Sequence, residues 1–210
     1  MIKWETDTAP NCRYAPGCHD VVMDAPASVA AIMEPIGVWW AVAGGWAIDL
    51  WLGEQTRDHH DVEVVVRRLD QRVVHAALSA ERELFALDPP DGGWRPWSGL
   101  PIDAPAFQLQ ARSPLGDFDL FTETVDEPRW YFRRDSRISV GSDEVIVSSA
   151  SRIPIVRPEI QLLYMARSTE LKNERDFQTA RPHLTPEATA WLAHALTITL
   201  PEHHWLQHLR

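Results

Sequence analysis

Cysteine is scarce in this chain, which has only Cys12 and Cys18 among its 210 residues. The two cysteines could form a disulfide or, together with the adjacent His19, supply part of a zinc site. Structural zinc normally takes four protein ligands, and the chain offers no further cysteine. The sequence therefore gives little support to a metal centre or a disulfide scaffold built on cysteine.

Long hydrophobic runs and an excess of basic residues are also lacking. No apolar stretch approaches the roughly 20 residues of a membrane span, and residues 1–24 have no secretory h-region. We therefore expect a cytoplasmic protein. Lys and Arg total 20 against 30 Asp and Glu, a formal net charge of -10. This balance disfavours binding to nucleic acid, because it implies no broad basic surface.

Apolar and aromatic residues, by contrast, are well represented. The chain is 45% hydrophobic, which is typical of a soluble globular protein with one domain or two small ones. Its 10 tryptophans are an unusually large number. Tryptophan suits a core and also the wall of a pocket. We expect a monomer or a homodimer.

The order of the predicted elements indicates an α+β fold with a mixed β-sheet, flanking helices and a C-terminal helical bundle. We divide the chain into an irregular extension (1–26), an α/β domain (27–155) and a helical subdomain (156–210). The α/β domain has predicted helices at 29–36, 46–52 and 71–80 and strands at 38–43, 62–67, 84–87, 107–111 and 118–122. Asp70 is expected to cap the third helix, and residues 89–105 to form a loop. The helical subdomain has predicted helices at 158–168, 171–181, 186–196 and 202–209.

Two carboxylates, Asp61 and Glu63, alternate at the start of the second predicted strand. Side chains two apart on a strand share a face, so both would point to one side of the sheet. A third carboxylate, Asp119, lies within the alternating strand 118–122, whereas Asp117 borders the turn at Gly116. Three such carboxylates are typical of sites that hold divalent metal for phosphoryl or nucleotidyl transfer. Asp119 could instead accept the proton of an attacking hydroxyl.

The glycine pair Gly44-Gly45 precedes a predicted helix and favours a phosphate site. Glycine lets backbone N–H groups approach phosphate oxygens, and a helix N-terminus favours an anion. Arg57 and Lys172 are candidates to neutralise a triphosphate. Simpler interpretations exist for the neighbours: His59 and His60 would be structural or exposed, and Asp49 would pair with a local arginine such as Arg57.

Taken in order, these residues resemble a known family. The stretch Gly44-Gly45-Trp46-Ala47-Ile48-Asp49, followed by His59-x-Asp61-Val62-Glu63-Val64, is similar to the motif of the aminoglycoside and lincosamide nucleotidyltransferases of the polymerase-β-like superfamily. The similarity extends from residue 29 to residue 209. Its further motifs are Trp130-x-Phe132-Arg133-Arg134-Asp135, Pro158-Glu159-Ile160-Gln161-Leu162-Leu163 and Lys172-Asn173-x-x-Asp176-Phe177.

The resemblance implies transfer of NMP, with AMP from ATP as the expected case, to a hydroxyl of a small molecule such as an antibiotic. It implies Mg²⁺, with two ions, and a nucleoside triphosphate as co-substrate. Asp61 and Glu63 would be metal ligands, Gly44 and Gly45 would face the triphosphate, and Asp119 would complete the metal site or act as base. Two positions depart from the family pattern, because Glu63 and Asn173 stand where Asp is usual.

Two other functions stay open from the sequence. One is a toxin-like nucleotidyltransferase that modifies a protein or tRNA, although the acidic charge argues against tRNA. The other is a degenerate relative that binds nucleotide without turnover. For a small-molecule acceptor, the segment 94–97 and the C-terminal helices are expected to form the pocket, and an aminoglycoside would require more carboxylates there than a lincosamide.

Overall fold

The computed structural model describes residues 25–89 and 92–209. The predicted extension 1–26, with both cysteines, lies almost entirely outside these residues. The described part contains helices α1 (Ala25–Met33), α2 (Gly44–Leu52), α3 (Gln71–Leu78), α4 (Pro158–Met165), α5 (Leu171–Ala180) and α6 (Pro186–Thr199). Its strands are β1 (Trp40–Ala43), β2 (Glu63–Arg67), β3 (Glu83–Leu87), β4 (Trp94–Pro96), β5 (Gln108–Arg112), β6 (Phe118–Asp126), β7 (Arg129–Tyr131), β8 (Ser139–Gly141), β9 (Ile146–Ser148) and β10 (Pro154–Val156).

The strands form one mixed sheet in the order β4-β3-β5-β6-β2-β1-β10-β9, and β7 and β8 extend from β6. The pairs β2–β6 and β1–β10 are parallel, while the other neighbours are antiparallel. The predicted α+β class with a mixed sheet, flanking helices and C-terminal helices is confirmed.

Alternation along the central strands divides the core into two hydrophobic clusters, one on each face of the sheet. On β2, Val64 and Val66 pack into one cluster and Val65 into the other. The cluster with Val65 also contains the buried apolar residues of α4, α5 and α6. Because side chains two apart share a face, Glu63 lies on the same face as Val65 and therefore faces the C-terminal helices.

Glycines end two elements at the positions that the sequence predicts. Gly37 and Gly53 adopt φ values of 70° and 81°, the left-handed region that closes a helix at low cost for glycine. The predicted helix 29–36 is α1 followed by a 3-10 turn at Glu34–Ile36. The antiparallel pair 107–111 and 118–122 is also observed, as β5 and β6.

Three local predictions were wrong. Asp70 makes no capping hydrogen bond to α3, because its carboxylate pairs with Arg67 at 2.7 Å. The predicted loop 89–105 contains strand β4, which pairs with β3. The predicted helix 202–209 is a 3-10 turn at His204–His208. Asp70 is thus engaged by Arg67, three residues earlier, and residues 94–96 by the neighbouring strand β3.

Among the described helices, none combines the length and the apolar character that crossing a bilayer requires.

Candidate active site

Two of the predicted carboxylates lie side by side on neighbouring parallel strands. Glu63 of β2 is in register with Asp119 of β6, and the Asp119 amide donates to the Val62 carbonyl at 3.0 Å. Asp61 precedes β2 in an exposed loop instead of starting the strand. The prediction that Asp61 and Glu63 alternate on one strand was therefore wrong, because Asp61 lies in the loop before β2. The register instead places Glu63 beside Asp119.

Gly44 opens α2 directly against Glu63. Its φ is 66°, and a Cβ at this position would overlap the Glu63 carboxylate, beginning with Oε2. At Gly45 a Cβ would overlap the side chains of Arg57 and His59. The glycine pair is thus required for close packing of side chains against the start of α2. No side chain caps this helix N-terminus.

We expect Gly44→Ala to reduce nucleotidyl transfer about 100-fold, because the new Cβ displaces the Glu63 carboxylate, and misplacements of about 1 Å cost this much. Its loss of stability should be only about 1–2 kcal/mol, since the left-handed φ is the main strain. Gly53→Ala is the matched control: its φ is 81°, but nothing lies within 4 Å of a Cβ there. Comparing turnover and thermal unfolding of both variants checks this, and equal losses of activity would contradict it.

Burial and mutual repulsion perturb these carboxyl groups. Desolvation is the largest cause, and repulsion from Asp61 and Asp119 adds to it; together they raise the pKa of Glu63 from 4.5 to about 7. The positive charges of Lys172 and Arg133 oppose this rise. Burial also raises the pKa of Asp119 above its ordinary value. Neither Asp61 nor Glu63 forms an ion pair within residues 25–89 and 92–209. A cation placed between them would relieve this repulsion.

Two amides hold the Asp119 carboxylate. Gln108 Nε2 donates to its Oδ2 at 3.0 Å, and Gln110 Nε2 donates to its Oδ1 at 2.9 Å. Both glutamines come from β5, the other neighbour of β6. Asp117, as expected of a turn residue, is exposed and accepts from the Ser113 amide at 3.1 Å.

The two predicted triphosphate-binding cations have different partners. Arg57 forms a bidentate pair with the buried Asp176 of α5, at 2.7 Å from Nε and 2.8 Å from Nη2. The pKa of Arg57 is raised, chiefly by this hydrogen bond. Lys172, near the start of α5, is 3.1 Å from Glu170, and both side chains are more than half exposed. Arg57 therefore joins the loop after α2 to the C-terminal helices, while Lys172 stays accessible.

Asp49 does not pair with Arg57 as the sequence suggested. Its carboxylate accepts from the Thr56 hydroxyl at 2.6 Å and lies 2.5 Å from His59 Nε2. His59 also stacks on Trp46, with ring centroids 4.3 Å apart. This buried cluster supports α2 and the loop that carries Arg57, which confirms the structural interpretation of His59.

A cavity of about 340 Å³ joins most of these residues between the sheet and the C-terminal helices. Its charged lining consists of four acidic residues (Asp61, Glu63, Glu123 and Glu170) and four basic residues (Arg57, Arg133, Arg134 and Lys172). Gly44, Gly45 and Gln108 also line it. Asp119 does not, and it adjoins the cavity through Gln108.

The expectation that segment 94–97 contributes to this pocket was wrong. Neither Trp94 nor Trp97 lines the cavity. Trp97 packs edge-on against His75, with centroids 4.9 Å apart, in the cluster on the opposite face of the sheet.

The sequence missed a second polar centre in the cavity, built on Glu123 and Arg133. Glu123 is 1% exposed, and its oxygens accept from Trp130 at 2.9 Å, from Tyr164 at 2.7 Å and from Arg133. Glu123 follows Asp119 by four residues on β6, so the period of two that selected Asp119 also places Glu123 on its face. Arg133 belongs to the motif Trp130-x-Phe132-Arg133-Arg134-Asp135, but no local sequence pattern predicted a function for it.

The donor set fits Mg²⁺ in the manner of nucleotide-dependent enzymes. No group of three or more His, Cys, Asp or Glu side chains in the described ranges is arranged to hold a metal by itself. Mg²⁺ is usually held by one or two carboxylates together with substrate phosphates and water, without a complete protein cage. Asp61 and Glu63, which line the cavity beside an uncapped helix N-terminus, meet that requirement.

Comparison with known proteins agrees with this geometry. Residues 27–88 match the sequence model of a family described as Aminoglycoside-2''-adenylyltransferase. No curated protein sequence matches the chain.

Several solved structures share the fold, among them the three that follow. One is the lincosamide antibiotic adenylyltransferase LnuA with lincomycin bound: TM-score 0.52, 14% identity, covering 74% of this chain and 93% of that one. A crystal structure of ANT(2")-Ia in complex with adenylyl-2"-tobramycin has TM-score 0.54 and 14% identity, with 85% and 97% covered. A solution structure of ANT(2'')-Ia has TM-score 0.52 and 13% identity, with 87% and 97% covered.

The matched segment 27–88 contains the glycine pair, Arg57, Asp61 and Glu63. The family match bears out the predicted resemblance over residues 27–88, and its description agrees with the predicted enzyme class, a nucleotidyltransferase. The chain shares the nucleotidyltransferase fold of the antibiotic adenylyltransferases, and its glycine-to-carboxylate segment matches the sequence model of the aminoglycoside-2''-adenylyltransferase family.

Proposed function

We propose that this protein is a magnesium-dependent nucleotidyltransferase that transfers AMP from ATP to a hydroxyl of a small molecule, with aminoglycosides and lincosamides as the candidate acceptor classes. The observation that carries this proposal is the in-register pair Glu63 and Asp119, next to an uncapped helix N-terminus at the edge of one cavity. A cytoplasmic location belongs to the same proposal, since nucleoside triphosphate is the donor.

In the proposed reaction the acceptor oxygen forms a bond to the α-phosphorus and the bond to pyrophosphate breaks. Asp61 and Glu63 would hold Mg²⁺, which supplies charge stabilisation on the phosphates when bound. The free N–H groups of Gly44 and Gly45 donate to phosphate oxygens, and Lys172 offsets their charge. Asp119 accepts the proton of the acceptor hydroxyl. For this step the Gln108 side chain, which lies at the cavity side of Asp119, has to move.

We expect ATP to bind in a Mg²⁺-dependent manner, and Asp61→Asn to weaken that binding about tenfold or more, because one charged ligand is lost. Calorimetric titration of ATP with and without Mg²⁺ measures this. Asp58→Asn is the matched control, because Asp58 is exposed, three residues away, and outside the cavity lining. Pyrophosphate release in the presence of hydroxylated antibiotics then tests for transfer.

The amides on both oxygens of Asp119 favour one second candidate, a relative that binds nucleotide without turnover. Mg²⁺-dependent ATP binding with no pyrophosphate release on any acceptor would favour that candidate. ATP binding that is unchanged in Asp61→Asn, or no binding at all, would contradict the proposed site.

A further inference from the structure

The guanidinium of Arg133 is buried among aromatic rings inside the cavity. It lies 4.4 Å from the centroid of Phe107, 4.3 Å from that of Tyr164 and 5.4 Å from that of Phe121. The side chain is 12% exposed. Apolar rings on several sides lower the local dielectric response, so the Arg133 charge acts on a ligand more strongly there than it would at the surface.

Arg133 has hydrogen-bonding capacity left over. Within the described residues only Nη1 has a partner, the Glu123 carboxylate, while Nε is buried without one. Nε is too enclosed for a ligand to reach, but Nη2, which also has no partner within the described residues, is accessible and can donate to a ligand oxygen. An ammonium group could not accept this hydrogen bond, since it only donates.

Once Mg²⁺ is bound, the cavity leaves little carboxylate charge to receive an ammonium group. Glu123 is fully engaged by Arg133, Trp130 and Tyr164. Glu170 lies beside Lys172, and its side chain is more than half exposed, so solvent screens its charge. The remaining lining carboxylates, Asp61 and Glu63, are the proposed metal ligands. Position 173, buried in the lining, carries an amide, which adds no negative charge.

With the nucleotidyl transfer proposed above as its premise, we propose that the acceptor is a hydroxylated compound that is not a polycation, and that Arg133 is the residue that excludes polyamines. The Arg133 charge repels ammonium groups, and its free donor selects a carbonyl, ether or carboxylate oxygen. Among the two candidate acceptor classes, this disfavours the aminoglycosides.

The test measures calorimetric binding of tobramycin, a polycationic aminoglycoside, at low ionic strength, with saturating Mg²⁺ and without nucleotide. We expect Arg133→Gln to bind tobramycin about 10–100-fold more tightly than the unaltered protein, because a repulsive charge is lost and Glu123 is released as a charged partner. Arg133→Lys keeps the charge and should bind as weakly as the unaltered protein. Raising the salt concentration should reduce the difference.

Arg82→Gln is the matched control. Arg82 also lies over an aromatic ring, 5.0 Å from the Phe118 centroid, but outside the cavity lining. Its tobramycin affinity should equal that of the unaltered protein. If the unaltered protein binds tobramycin as tightly as Arg133→Gln does, or if Arg133→Lys binds as tightly as Arg133→Gln, the proposal is overturned.

Removing Arg133 alone leaves the buried Glu123 charge unpaired, so thermal unfolding must accompany the binding data. If Arg133→Gln does not fold, the double variant Glu123→Gln/Arg133→Gln is compared with Glu123→Gln alone, from which it differs only at Arg133, and is expected to bind tobramycin about tenfold more tightly. Equal affinities of these two variants would then reject the role of Arg133. Since nucleotide is absent from these titrations, a failure of the nucleotidyl transfer proposal appears separately, as the absence of Mg²⁺-dependent ATP binding.

Discussion

Replacing Glu63 by glutamine should abolish most nucleotidyl transfer, by about 10³-fold or more, while making the folded protein more stable at pH 8. Activity falls because an amide is a poor ligand for Mg²⁺ and cannot offset its charge. Stability rises because the glutamate carries its charge in a buried position next to Asp61 and Asp119. A substitution that lowers activity while raising stability is typical of a residue that serves function at a cost to folding stability.

The pH dependence of the Glu63→Gln effect follows from the raised pKa. In the folded protein the pKa of Glu63 is about 7, against an ordinary 4.5. Between these two values the folded state keeps a proton that the unfolded state has lost, so folding is favoured at the low-pH end and weakened as pH rises through 7. The variant should therefore gain about 1–3 kcal/mol in the free energy of unfolding at pH 8 and almost nothing below pH 4.5.

Urea unfolding at pH 4.5 and pH 8 without Mg²⁺ measures this difference, and pyrophosphate release measures the loss of activity. Glu83→Gln is the control, because Glu83 is exposed on β3 and should show no change at either pH. Glu63→Asp keeps the charge with a side chain one methylene shorter, and we expect it to retain activity within about tenfold. Transfer by Glu63→Gln within tenfold of the unaltered protein would contradict its role as a metal ligand.

The sequence predicted the carboxylate side of the cavity because that side follows from local periodicity. Glu63, Val65 and Asp119 lie on one face as the alternation of strands requires. The glycine pair begins α2 directly after β1, and Gly44 packs against Glu63. Asp61 departs from this scheme since β2 begins two residues later than the charge pattern suggested. Periodicity gives the face of a side chain more reliably than the first residue of its strand.

The opposite side of the cavity could not be predicted in this way. Arg133 is buried by rings from a loop, from β6 and from α4, so its environment depends on tertiary packing and not on neighbours in sequence. Asp176 was visible in a motif, but nothing local indicated that Arg57, 119 positions earlier, is its partner. Charged side chains have several acceptable partners, and the fold decides among them.

That distant pair leads to the largest expected effect on stability. Asp176→Ala should lower the free energy of unfolding by about 3–5 kcal/mol, because it leaves the Arg57 guanidinium unpaired in a mostly buried position. Asp176 is 1% exposed and Arg57 12%, and two hydrogen bonds of 2.7 and 2.8 Å join them. For a chain of this size, such a loss lowers the melting temperature by about 10 °C.

The matched control is Asp88→Asn, which breaks an equally short pair with Arg95, 2.7 Å apart but with both side chains nearly half exposed. Solvent screens that pair, so its loss should cost less than about 1 kcal/mol. A double variant, Arg57→Met/Asp176→Leu, separates the worth of the pair from the cost of an orphaned charge, since replacing both partners by apolar groups is often neutral. Chemical unfolding of the three variants measures these differences.

Equal losses of stability for Asp176→Ala and Asp88→Asn would mean that the Arg57–Asp176 pair does not hold the loop after α2 against α5. The double variant should regain stability yet transfer AMP poorly, because Arg57 lines the cavity and packs against Gly45 at the proposed triphosphate site.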